Sequence, residues 1–92
     1  MDGEKMIEIK ELELKDTVES MLSESYKERF KAEYTQLTIR LDKLTVFLDK
    51  YANGELDFTP SCPYEVLLRQ KFVMNMYKDL LTQRALIEGI SL

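Results

Sequence analysis

The sequence predicts an all-α protein: a long antiparallel helical hairpin with a short N-terminal arm or helix, oligomerising through its helix faces. Three observations predict this. Two runs, about 25–53 and 63–88, hold no glycine and no proline apart from Pro63 at the start of the second. In the first run, apolar residues recur in alternating steps of four and three, which is the spacing of a packed helix. Between the runs lies Gly54-Glu-Leu-Asp-Phe-Thr-Pro-Ser-Cys-Pro-Tyr-Glu65, which holds both prolines and the only cysteine and reads as the corner of the hairpin.

The chain divides into an arm (1–24) and the hairpin (25–92). In the arm, Ile7, Ile9, Leu12 and Leu14 alternate with charged residues. Such a period of two predicts an extended segment able to add as a strand to a partner, and the same glutamate-rich sequence is also compatible with a helix. Asp16-Thr-Val-Glu19 has the form of a capping box, which predicts a short helix with Val18, Met21 and Leu22 on one side. Ser25-Tyr-Lys-Glu28 is a second such box, opening the first long helix, and Asn53-Gly54 stops it. Phe30, Tyr34, Leu37, Leu41, Leu44, Leu48 and Tyr51 form its heptad seam, while Ala32, Ile39 and Val46 form a second stripe on the opposite side. Two stripes require two neighbours. Pro63 suits the first turn of the second long helix, with Cys62 or Ser61 as N-cap, and Gly89 suits its stop.

Around the second helix, Val66, Leu67, Val73, Met74, Met76, Tyr77, Leu80, Leu81, Ala85 and Ile87 fill an arc of roughly 180° at about 100° per residue. One antiparallel neighbour cannot cover so wide a surface. A chain of 92 residues also buries only a modest fraction of its surface alone, and one cysteine with no histidine rules out an intrachain disulfide and a Cys/His zinc site. Assembly through Ile39, Val46 and the spare surface of the second helix is therefore expected. Met74 and Met76 are read as filling gaps in the core.

Charge is unevenly placed. The net charge is −4, yet residues 1–25 carry eight acids against three lysines, whereas residues 26–92 carry nine acids against ten bases. The hairpin is thus nearly neutral and the acidity lies in the arm. The N-terminus, MDGEKMIEIK, lacks the basic start and apolar run of a signal peptide, and no stretch reaches the length of a membrane span. A cytoplasmic protein with no membrane partner is expected.

No reaction chemistry is evident. A cysteine at a helix start gains thiolate character, but a catalytic cysteine needs a base such as histidine, so Cys62 reads as structural. Glu55 and Asp57 stand beside Gly54, where acids are ordinary in turns, and no glycine-rich phosphate loop exists. A non-enzyme without cofactor or metal is expected. The basic residues say more. Lys43 and Lys50, one heptad apart, flank the second stripe; they are either the rim of a coiled interface or cations for an anionic ligand held between protomers. In the second reading Lys43, Lys50, Arg40 or Arg69 hold phosphates, and Tyr34, Tyr51 or Tyr64 stack on a base. Phe58 is read as an anchor that folds the loop back, and with Tyr64 and the second helix start it can close an anion-accepting pocket.

Tyr26-Lys-Glu-Arg-Phe-Lys-Ala-Glu-Tyr34, Ile39-Arg-Leu-Asp-Lys-Leu44, Leu56-Asp-Phe-Thr-Pro-Ser-Cys-Pro63 and Arg84-Ala-Leu-Ile-Glu-Gly-Ile90 resemble a family of small helical proteins of tailed phages and prophages, some related to a protein of the crAss-like phages. The resemblance implies an accessory protein acting in the cytoplasm of an infected bacterial host, and it carries no site residues across. In architecture alone the chain is similar to the anti-CBASS and anti-Thoeris sponge hairpins, which assemble and enclose cyclic nucleotide signals; it lacks their Gly-Tyr-Arg and Asn-x-Ile-Lys elements. Sequestration of a nucleotide-derived immune signal, a cyclic oligonucleotide or an ADP-ribose derivative, is the function this implies. The alternatives are a protein-directed inhibitor of a host defence complex and a structural phage component. A DNA mimic needs a dense acidic face on a rigid body, which a neutral hairpin does not offer, so no DNA partner is expected.

Overall fold

A computed structural model describes residues 11–92. It shows a 3-10 turn at Leu14–Thr17 followed by three helices, α1 (Val18–Met21), α2 (Tyr26–Ala52) and α3 (Tyr64–Glu88). At 1.5 Å per residue, α2 is about 40 Å long. Contacts at both ends fix the direction of α3: Tyr26 meets Glu88, Glu33 meets Tyr77, and Tyr51 meets Tyr64. The two long helices are antiparallel.

The helix ends follow from the residues that the sequence places there. Ser25 has extended backbone, and its hydroxyl accepts from the Glu28 N–H at 3.3 Å, capping α2. At the other end Gly54 has φ +69°, the left-handed region that a side chain disfavours. That turn lets Gly54 N–H donate to the Tyr51 carbonyl at 3.3 Å and Glu55 N–H donate to the Lys50 carbonyl at 2.9 Å. Both bonds of a Schellman motif are present, and they fold the loop back over the last turn of α2. Gly89 repeats the device at φ +72°, where Ile90 N–H donates to the Ala85 carbonyl at 2.8 Å. Ile90 is thereby returned to the core.

That core consists of Phe30, Leu37, Leu81, Ala85 and Ile90, with Tyr34 and Met74 packed against it. Leu81 at its centre is 1% exposed. Farther along the seam Leu41 and Leu48 are also buried, so the heptad reading of α2 describes the face that meets α3.

The second stripe finds its neighbour within the chain. Gln36 Nε2 donates to Thr17 Oγ1 at 2.7 Å, and Lys43 bonds Glu13, which lays the 3-10 turn and α1 along the side of α2 that carries Ala32 and Ile39. Both are buried. Ile39 was expected to meet a second protomer, but the chain's own N-terminal segment covers its side of the helix. Val46, farther along, stays 56% exposed.

Other expectations change in detail. The arm's predicted strand lies largely outside the described residues, and Leu14 at its end belongs to the 3-10 turn. Asp16 does not cap α1; its carboxylate accepts from the Glu13 N–H at 2.9 Å and closes its own turn. The N-cap of α3 is Pro63, one residue later than expected. Its fixed φ of −62° with extended ψ leaves its carbonyl to accept from the Val66 and Leu67 N–H groups. Met74 packs in the core, but Met76 projects to solvent, because it lies about 160° around α3 from Met74 at 100° per residue.

Candidate functional site

The loop that the Gly54 turn folds back over α2 borders an open cavity of about 450 Å³. Lys43, Val46, Phe47 and Lys50 line it from α2, and Glu55, Leu56, Asp57 and Phe58 from the loop. Its size lies within the range of small-molecule sites. Lys43, Val46, Phe47 and Lys50 share one side of α2 at steps of three, one and three, so the helix period itself brings them together.

Apolar and charged groups divide the cavity. Phe47 and Phe58 lie with ring centroids 6.2 Å apart and planes tilted by 34°, while Phe47 also meets Tyr51 edge to face at 6.1 Å. Tyr51 in turn meets Tyr64, 5.3 Å away, which ties the aromatic row to the start of α3. Phe58 is held at this row's outer end and stays 57% exposed. It anchors the loop and leaves a ring surface free.

Lys43 and Lys50 stand two turns apart, about 10.5 Å along the axis at 1.5 Å per residue. Lys43 is engaged by Glu13, its Nζ 3.0 Å from Oε1. Glu13, Leu14, Lys15 and Lys43 also line a second cavity of about 450 Å³. Lys43 therefore belongs to both.

Three of the eight residues expected at a ligand site, Lys43, Lys50 and Phe58, line the cavity under the loop. The other five lie elsewhere. Tyr34 is packed against the core with the Lys78 ammonium 5.7 Å from its ring centre, and Tyr51 and Tyr64 pack on each other and back Phe47 without lining the cavity. Arg40 on α2 and Arg69 on α3 are exposed and outside it. Phe47 was missed because it falls off the heptad seam. Its place one residue after Val46 and three before Lys50 was the available signal.

The model of the Sequestin family matches residues 24–87. The chain belongs to that family. The Sequestin match takes in α2, the loop and all of α3 but its last residue, so every residue lining the cavity under the loop lies inside it. The 3-10 turn and α1 lie outside it, and with them Glu13, the partner of Lys43. No curated protein and no solved structure matches the chain. Among the described residues, no helix of this Sequestin member is long and apolar enough to cross a membrane.

Proposed function

We propose that the protein binds and sequesters a nucleotide-derived immune signal, a cyclic oligonucleotide or ADP-ribose derivative, without degrading it, and so serves a phage against host defence. The observation that carries this reading is the pairing of two lysines with an aromatic row in one cavity of ligand size. A phosphate accepts charge-assisted hydrogen bonds from the Lys43 and Lys50 ammonium groups. The free ring surface of Phe58 takes the base by stacking, worth about 1–3 kcal/mol per base. Glu55 and Asp57 are acceptors for ribose hydroxyls or exocyclic amines.

Retention without turnover fits the same residues. The chain has no histidine, and Cys62 does not line the cavity, so neither a histidine base nor the thiol faces the ligand. The Sequestin family name agrees with a sequestering role.

The test is calorimetric titration of the full chain with cyclic dinucleotides, cyclic trinucleotides, ADP-ribose and cyclic ADP-ribose, followed by recovery of the ligand after denaturation. One member of the panel is expected to bind more tightly than about 10 μM, roughly −7 kcal/mol, and to be recovered intact. Lys50→Ala should weaken it about ten-fold, as expected for a lost charge-assisted bond. Absence of binding across the panel, or recovery of a hydrolysed product, would overturn the proposal.

A further inference from the structure

One flank of α3, beside its core-facing side, carries Val66, Val73, Met76, Leu80 and Ile87, with Tyr77 at its edge toward α2, where the hydroxyl donates to Glu33; each is between 42% and 83% exposed. An apolar stripe left exposed along a helix marks an interaction surface. Val66, Val73, Leu80 and Ile87 recur every seven residues, so the stripe drifts slowly around α3 and fits another helix wound against it. It is a helix-shaped surface.

The spacing identifies which helix. Val66 and Ile87, Val73 and Leu80, and Met76 and Tyr77 are placed symmetrically about the middle of α3, so the stripe reads the same from either end. An isologous interface requires that residue i meet j and j meet i. A two-fold axis passing between Met76 and Tyr77 satisfies this for all six. Charge does not oppose the pairing, because residues 26–92 carry nine acids and ten bases and two such bodies repel little.

We infer that α3 docks antiparallel on α3 of a second copy of this chain, with the axis between Met76 and Tyr77. This goes beyond the ligand reading and stands or falls without it.

Sedimentation equilibrium of the full chain should return twice the monomer mass of 10.9 kDa. Val73→Glu should return the monomer with unchanged helical circular dichroism, since Val73 is exposed within one chain and faces Leu80 across the axis. Orientation is read from disulfide formation in a Cys62→Ser background. A mixture of Val66→Cys and Ile87→Cys chains should cross-link, and neither should do so alone. A monomeric wild type would overturn the inference, and so would dimerisation that appears only after residues 1–10 are removed, which would give the stripe to the arm. Self-cross-linking of Val66→Cys would overturn the antiparallel register.

Discussion

The Lys43 ammonium lies 3.0 Å from the Glu13 carboxylate, so a residue of the N-terminal turn holds a cation of the cavity wall. Both side chains are largely exposed, and exposed pairs contribute about 0.2–1 kcal/mol. The contact adds little to stability. For an anionic ligand, however, Glu13 is a competing anion already in place. Glu13→Gln should therefore raise affinity for whichever nucleotide of the panel binds, by up to about five-fold at low salt, with the gain shrinking as salt screens both interactions. Equal affinities by calorimetry at low salt would show that Glu13 does not compete.

Truncating the centre of the core should be costly. Leu81 packs with Phe30, Leu37, Ala85 and Ile90 where α2 and α3 cross. Leu81→Ala removes buried methyl groups and leaves a cavity, a loss of about 2–5 kcal/mol. Against a total stability of about 5–15 kcal/mol this is a large fraction. The denaturant midpoint should fall substantially with an unchanged slope. A loss below about 1 kcal/mol would mean that the site collapses around the alanine.

A stabilising substitution is also available. Thr38 is buried on α2, and its Oγ1 has no hydrogen-bond partner. A buried hydroxyl left unpaired costs about 1–3 kcal/mol in desolvation, and valine has the same shape without that group. Thr38→Val should raise the thermal midpoint by about 4–8 °C per kcal/mol recovered in a domain of this size. A lower midpoint would place an ordered water on Oγ1.

The hairpin was legible because its signals are local. Ser25, Gly54 and Gly89 act where they stand, and the seam from Phe30 to Tyr51 needs only the helix period. The N-terminal segment was not legible in the same way. Ile39 shows that a helix face needs a neighbour and does not say whether that neighbour is another chain or an earlier segment of its own. Site residues failed for a related reason. Tyr34 and Lys43 are equally plausible ligand groups in sequence, but only the Schellman turn at Gly54 decides that the loop returns toward Lys43 and leaves Tyr34 to the core. Phe47 became visible once that turn had placed Phe58 beside it.

The junction of α2 and α3 should give stability a defined dependence on pH. Tyr26 donates to Glu88 Oε1 at 2.8 Å, and Arg84 donates to Tyr26 Oη at 2.8 Å and to Glu88 Oε2 at 3.3 Å, with its guanidinium 4.9 Å from the centre of the Phe30 ring. The bond from Tyr26, joined by Arg84, holds the Glu88 carboxyl below its ordinary value of 4.5. Donation to Glu88 holds the Tyr26 phenol above its ordinary value of 10.0. For Glu88, whose folded pKa is depressed, the contribution is present above 4.5 and is lost as pH falls through the folded value. For Tyr26, whose folded pKa is raised, it is present below 10.0 and is lost as pH rises through the folded value. Tyr26→Phe deletes the shared hydroxyl and leaves the edge contact with Phe30, at 6.1 Å, able to persist. The thermal midpoints of wild type and variant should differ most between pH 4.5 and 10.0 and converge outside that window. A constant difference at every pH would show that Tyr26 stabilises the junction by packing alone.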